Sequence, residues 1–417
     1  MRKLRVFIRT YGCTLNQSDS EAMAGVLLAD GMAVVDEERD ADVVVLNTCT
    51  VKGATEQKTM HEIGRLRKLG KRIVVAGCIP SADLALVRRH APDAPAVGTR
   101  ALARIADAVR AADAGKKSEY FSDEERKLEL PRARGRVIAR VPVAEGCVGA
   151  CAFCATRIAR GKLHSYSEEE IVAEVKKCVK RGCVEIQLTA QDMGAYGLDI
   201  GTDLASLLEK VAKIPGEFRV RVGMMNPGLV KRILPSLLKA FRPRKIYKFA
   251  HLPVQSGNDA VLKSMKRGYS VREFKSIAKA FRKEFPGITI ATDIIVGYPT
   301  ETRKAFLDTM RLAREMKFEV ANISKFTPRP GTEGAKLKPL PNLEVKRRSE
   351  EISALCRKIS LARNRKLVGK ELALLASGQG KARTDEYKLV HIEGKEGRFV
   401  RARITRAFPR CLAGERV

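Results

Sequence analysis

The chain of 417 residues is long enough for two or three domains with buried cores. With 45% hydrophobic and 30% charged residues it reads as soluble and globular, and runs such as Val43 to Leu46 or Ile73 to Ala76 are too short to span a bilayer. Lys and Arg number 79 against 48 Asp and Glu, a net +31 that excludes a charge-balanced surface and indicates a polyanionic partner, nucleic acid first among them.

Arg5, Arg9 and Thr10 interrupt any apolar stretch near the N-terminus, so export and membrane insertion are not expected and a cytoplasmic location is. Ten cysteines then read as metal ligands or buried thiols instead of disulfides.

Residues 1–112 alternate strand and helix patterns. Strands are expected at Arg5–Thr10, Val43–Thr48 and Ile73–Gly77, and helices at Ser18–Leu28, Ala54–Leu69 and Leu84–His90. Such alternation predicts a doubly wound parallel sheet. Cys13, Cys49 and Cys78 each fall just past a strand end, on the one sheet edge where ligands bind. They are either small buried hydrophobes or a convergent three-thiolate site. A linker at 113–136 is acidic first (Asp123, Glu124, Glu125), then basic (Arg132, Arg134, Arg136, with Arg140 beyond). It reads equally as a basic strap near RNA and as a solvated hinge.

From Val137 six strand-then-helix units follow, with strands at Val137–Val143, Val184–Thr189, Arg219–Met224, Lys248–Val254, Thr289–Val296 and Val320–Phe326. Eight would close a full barrel, so six predict a partial (β/α)6 barrel open on one side, within 137–366. Chemistry is expected at the C-terminal strand ends, where Cys147, Thr189, Gln191, Asn226, Gln255, Ser256, Gly257, Asp293 and Gly297 fall. The loop CVGACAFC places Cys147, Cys151 and Cys154 within eight residues. Thiolates select soft metals, and three from one tight loop suit a 4Fe-4S cluster with one iron left open. An incomplete zinc site, with His164 as an awkwardly spaced fourth ligand, is the alternative.

Lys325–Pro341 is too rich in Pro for a helix or central strand. Leu343–Leu367 then reads as one basic helix whose Lys346, Arg347, Arg348, Arg357, Lys358, Arg363, Arg365 and Lys366 face RNA or solvent. In 367–417, strands at Leu372–Leu375, Lys388–Ile392, Arg398–Ile404 and near Phe408 predict a small β-barrel of a size used on RNA backbones. Cys178, Cys183, Cys356 and Cys411 lack ligand spacing and read as structural.

Several words in the chain resemble a known family. EGCVGACAFCATRIARG (Glu145–Gly161), with an aromatic before the third cysteine, resembles the radical S-adenosylmethionine enzymes and, more closely, the methylthiotransferases. YGCTLNQSDSEAM, NTCTVKGATEQK and VAGCIP resemble that family's N-terminal domain. EIQLTAQDMGAYG, RVGMMNP, HLPVQSGNDAVLKSMKRGYS and TDIIVGYPTET resemble its barrel, and GKARTDEYKLVHIEG its TRAM domain. Ser81, Thr300 and Glu333-Gly334 depart from the usual pattern.

The resemblance implies two 4Fe-4S clusters, a radical-forming one on Cys147, Cys151 and Cys154 and an auxiliary one on Cys13, Cys49 and Cys78. Gln191, Asn226, Gln255, Ser256 and Asp293 would ring S-adenosylmethionine; a helix cap is the alternative for any single Gln or Asn, and the favoured reading for Asn258 or Asp259. An electron donor is a further expected partner. GMMNP and ATRIARG look like the archaeal and eukaryotic branch, which implies 2-methylthiolation of N6-threonylcarbamoyladenosine 3′ to the tRNA anticodon. The base would be splayed out of the loop stack to react. Isopentenyladenosine, a ribosomal-protein aspartate, or RNA binding without catalysis are the alternatives.

Overall fold

The computed structural model describes residues 3–51, 53–122, 126–133, 135, 137–393 and 396–417. Asp123, Glu124, Glu125, Arg134 and Arg136 of the expected linker lie outside them.

The N-terminal unit is a parallel sheet of β1 (Arg5–Thr10), β2 (Ala33–Val35), β3 (Val43–Thr48), β4 (Arg72–Gly77), β5 (Ala96–Val97) and β6 (Glu119–Tyr120), in the order β2-β1-β3-β4-β5-β6. Its helices are α1 (Thr14–Ala29), α2 (Gly53–Lys68), α3 (Cys78–Ala82), α4 (Leu84–His90) and α5 (Ile105–Asp113). Alternate residues of the central strands feed two cores. Val43, Val45, Val74 and Ala76 pack with Met23, Leu27, Ile105 and Val109, while Val44, Leu46, Ile73 and Val75 pack with Ile63, Leu66 and Val87. Burial on both faces explains why these strands are unbroken Val/Ile runs.

The segment expected to be a free linker is tied into the fold. β6 pairs with β5, and Lys127 lies buried in a short 3-10 turn. Arg132 donates to the Ser18 carbonyl and hydroxyl (both 2.9 Å), and Arg140 to Gln17 and Glu21 (both 2.6 Å). The reading of these two arginines as an RNA strap is therefore corrected: they join the N-terminal unit to the barrel.

The central unit has six parallel strands in chain order around an open barrel: β7 (Ile138–Pro142), β10 (Glu185–Thr189), β11 (Arg219–Val222), β12 (Phe249–His251), β13 (Thr289–Val296) and β14 (Val320–Lys325). Bridges Val220 to Ile246 and Met224 to His251 join the two three-stranded halves. A small hairpin, β8 (Ala144–Glu145) with β9 (His164–Ser165), frames the cysteine loop, and helix α6 (Thr156–Arg160) follows that loop. The exterior is covered by α7 (Glu168–Lys180), α8 (Leu204–Ala212), α9 (Pro227–Ala240), α10 (Asp259–Ser264), α11 (Val271–Glu284) and α12 (Arg303–Met316). Reciprocal capping boxes start α7 (Ser167, Glu170) and α11 (Ser270, Glu273).

Helix α13 (Asn342–Arg365) leads to the last unit. Its cations divide. Arg348 is buried between Glu301 (2.8 Å) and Glu344 (2.7 Å) and so does not face RNA or solvent as expected, whereas Arg347 pairs with Glu344 on the exposed surface and the half-buried Arg363 pairs with Glu319. Lys346, Arg357, Lys358, Arg365 and Lys366 remain exposed. A closed barrel follows, made of β15 (Glu371–Gly378), β16 (Lys381–Thr384), β17 (Leu389–His391), β18 (Phe399–Ala407) and β19 (Leu412–Arg416). Phe408 lies in the β18–β19 turn and not in a strand.

This small barrel is plugged into the N-terminal mouth of the large one. Tyr387, in a left-handed conformation (φ 63°), stacks its ring against Tyr247 and Phe249, with centroids 4.8 and 5.1 Å away. Its hydroxyl accepts from Gln187 Nε2 (3.2 Å) and donates to Glu185 (3.3 Å), and Asp385 pairs with Arg219 at 3.0 Å. Thus the opposite mouth, holding the cysteine loop, is left for chemistry.

Candidate radical and sulfur sites

The loop from Cys147 to Cys154 starts where β8 ends. Gly146 turns it with φ 71°, and a Cβ there would lie 1.9 Å from the Lys162 carbonyl, so only glycine fits. Each sulfur meets an N–H donor: Gly149 N to Cys147 (3.2 Å), Arg267 Nη1 to Cys151 (3.1 Å) and Thr156 N to Cys154 (3.4 Å). Donors of this kind favour sulfur as thiolate, the ligating form. Burial opposes that form in the metal-free chain, pushing Cys147 up to about 11, with Asp192, Cys154 and Cys151 adding to the rise. A metal centre would displace these protons.

The second set assembles from three strand ends. Cys13 caps α1, Cys49 follows β3 and Cys78 opens α3. Cys13 and Cys78 both point their sulfurs at Asn16 Oδ1, at 3.3 and 3.8 Å. Burial pushes Cys49 up to about 12, and Cys78 and Cys13 lie close enough to raise it further. Gly12 (φ 109°) makes room, because its Cβ would come within 2.8 Å of the Cys49 sulfur. Cys13 and Cys78 thus share one polar neighbour, and Cys49 lies near both. His164 is exposed on β9, paired with Glu145 across the hairpin.

The expected cofactor ring divides into two groups. Gln191 and Gln255 each bury a side-chain oxygen with no partner among the described residues, and Gln255 holds a left-handed backbone (φ 68°), a strain usual at binding sites. Both fit a polar ligand. Asn226 is instead the N-cap of α9, accepting from Gly228 N at 3.0 Å. Ser256 is fully buried beside Thr309, and Asp293 is bonded to His251 and Asn322, both at 2.9 Å. Asn258 caps α10, as expected of it.

Four groups not anticipated from sequence form a buried charge network that reaches the second thiol set through Asn16. Asp19 of α1 contacts Lys127 (2.9 Å) and Arg160 (2.7 Å), and Glu145 contacts the same two cations at 3.1 Å each. All four side chains are at most 4% exposed. Asp192, buried at the mouth, accepts from Gly194 N (3.0 Å) and Asn226 N (2.9 Å), and burial raises its carboxyl.

Three family models match in chain order: uncharacterized protein family UPF0004 over residues 5–98, the radical SAM superfamily over 141–313 and the TRAM domain over 368–417. Among solved structures, the fold is similar to the radical S-adenosylmethionine methyltransferase TsrM from Kitasatospora setae (TM-score 0.57, 14% identity, 80% of this chain and 75% of that one). It is also similar to the cobalamin-dependent radical enzyme OxsB (TM-score 0.53, 11% identity, 85% and 56%). The open barrel with three thiols at its mouth is thus that of the radical S-adenosylmethionine class, which implies a 4Fe-4S cluster and S-adenosylmethionine.

Curated relatives narrow the class. The chain is 42% identical to the probable threonylcarbamoyladenosine tRNA methylthiotransferase of Pyrococcus horikoshii over 99% of both chains, and 44% identical to that of Methanothermobacter thermautotrophicus over 97% of both. The Homo sapiens threonylcarbamoyladenosine tRNA methylthiotransferase is 38% identical over 84% of this chain and 62% of its own. The chain belongs to the threonylcarbamoyladenosine tRNA methylthiotransferase family.

Proposed function

We propose that this protein converts N6-threonylcarbamoyladenosine 3′ to the anticodon of tRNA into its 2-methylthio derivative, using two 4Fe-4S clusters. The observation that carries the reading is the pair of thiol sets, one at the barrel mouth and one at the edge of the N-terminal sheet, with a buried charge network that reaches the second set through Asn16 and includes Glu145, two residues before Cys147. Cys147, Cys151 and Cys154 would hold the cluster that binds S-adenosylmethionine, and Cys13, Cys49 and Cys78 the auxiliary one. Loaded, the first site supplies reductive cleavage of the sulfonium and the second a sulfur for transfer.

The chain's own residues do the rest. Arg267, Gly149 and Thr156 donate to the thiolates, and the free oxygens of Gln191 and Gln255 receive the cofactor's N–H and O–H groups. Asp192 holds the Gly194 and Asn226 amides and so fixes two strand-end loops at the mouth. The small barrel and the exposed cations of α13 supply phosphate contacts, in keeping with the +31 charge. A one-electron donor is a required partner, and the cytoplasm, where tRNA is found, is the setting; among the described residues no helix is long and apolar enough to cross a membrane. The relatives' names favour threonylcarbamoyladenosine over isopentenyladenosine or a protein aspartate, and two thiol sets favour catalysis over RNA binding alone.

The test is the nucleoside profile of tRNA from a strain lacking the gene. Loss of the methylthio species with accumulation of threonylcarbamoyladenosine is expected, and its persistence would overturn the assignment.

A further inference from the structure

We propose that Arg160 is a positioning residue shared by both thiol sets, which fixes their relative placement and raises the reduction potential of the cluster on Cys13, Cys49 and Cys78. The proposal rests on the two-cluster reading above. Arg160 ends α6, the helix that directly follows Cys154, so the chain itself ties it to the first set. Its guanidinium reaches the second through Nη2, which donates to Asn16 Oδ1 at 3.1 Å, the same oxygen that faces the Cys13 and Cys78 sulfurs. Asn16 is held from behind, donating to the Thr48 carbonyl (2.7 Å) next to Cys49, while its own carbonyl accepts from Asn47 (2.7 Å).

The end of α6 is anchored to the second set as well. Thr99 donates to the Ala159 carbonyl (2.6 Å) and Arg100 to that of Arg160 (2.8 Å). The Thr99 amide in turn donates to Ser81 Oγ (2.8 Å) on α3, the helix that Cys78 opens. A displacement of one set is therefore carried to the other.

The charge is held in place. Its guanidinium pairs with Asp19 at 2.7 Å and Glu145 at 3.1 Å, two carboxylates as buried as itself. Lys127 completes a group of two cations and two carboxylates that is neutral overall, as a dry site requires. The four charges are not equidistant from the sulfurs, because Arg160 shares Asn16 with them. A cation and N–H donors beside cluster sulfurs stabilise the reduced, more negative state. A low-dielectric setting strengthens the effect.

The field account predicts opposite signs at neighbouring positions, which a merely structural role does not. The experiment uses the full chain carrying Cys147→Ala, Cys151→Ala and Cys154→Ala, so that only the second set can load. After anaerobic loading with iron and sulfide, its midpoint is read by redox titration with electron paramagnetic resonance. Adding Arg160→Gln should shift the midpoint negative, Asp19→Asn should shift it positive, and Arg160→Lys should stay nearer the parent than Arg160→Gln does. Unchanged midpoints, or shifts of the same sign for Arg160→Gln and Asp19→Asn, would overturn the proposal. If Arg160→Gln does not fold, a negative or absent shift in Asp19→Asn overturns it equally. Failure of the parent itself to bind iron would instead bring down the two-cluster reading.

Discussion

Lys127→Met deletes one buried charge while keeping the length of the side chain. Lys127 Nζ lies 2.9 Å from Asp19 and 3.1 Å from Glu145, and its side chain is 1% exposed. Without it, the two carboxylates share Arg160 alone, so one negative charge stays buried and unmatched. Breaking such a pair costs about 3–5 kcal/mol, a large part of a total stability of about 5–15 kcal/mol. The double variant Asp19→Asn/Lys127→Met restores neutrality and should be more stable than Lys127→Met. The assay is urea unfolding of the cluster-free chain under anaerobic reducing conditions, followed by circular dichroism. A Lys127→Met variant within about 1 kcal/mol of the parent, or a double variant weaker than the single, would refute the argument.

Further outcomes follow from the same structure. Tyr387→Phe leaves Glu185 and Gln187 without the hydroxyl and should cost about 1–3 kcal/mol, read as a lower unfolding midpoint. Asn226→Ala should cost about 0.5–2 kcal/mol as a lost cap without changing the affinity for S-adenosylmethionine, whereas Gln191→Ala should weaken that affinity and leave stability near the parent; calorimetry separates the two. Affinity for tRNA should fall steeply with salt, and Arg401→Ala and Arg406→Ala, both exposed on β18, should each reduce the slope by about one; a flat salt response contradicts the phosphate-contact role.

What was legible in the sequence follows physical lines. The strand Val43–Thr48 shows as an apolar run because both its faces are buried, whereas β5 and β6, two residues each, carry no pattern at all. The CVGACAFC set is visible because its spacing is local. The Cys13, Cys49 and Cys78 set is visible only through the rule that parallel strands end on one edge. Asn226 followed by Pro227 carries a cap signal, an N-cap residue before Pro at the first helical position, in line with the cap alternative open to any single Asn. Arg132, Arg140 and Arg348 looked like RNA ligands because a count of charges does not reveal their partners. Contacts such as Lys127 with Asp19, 108 residues apart, or Tyr387 with Gln187, 200 apart, leave no trace in local pattern.

The most direct test of two cooperating thiol sets is the product of a single anaerobic reaction. Loaded protein, S-adenosylmethionine, a chemical reductant and tRNA bearing threonylcarbamoyladenosine are combined, and the nucleosides are read by mass spectrometry. The 2-methylthio nucleoside is expected from the parent chain and should be absent with Cys49→Ala, whose Cys147 loop is intact. Formation of the same product by Cys49→Ala at the parent's rate, or none by the parent, would contradict the account.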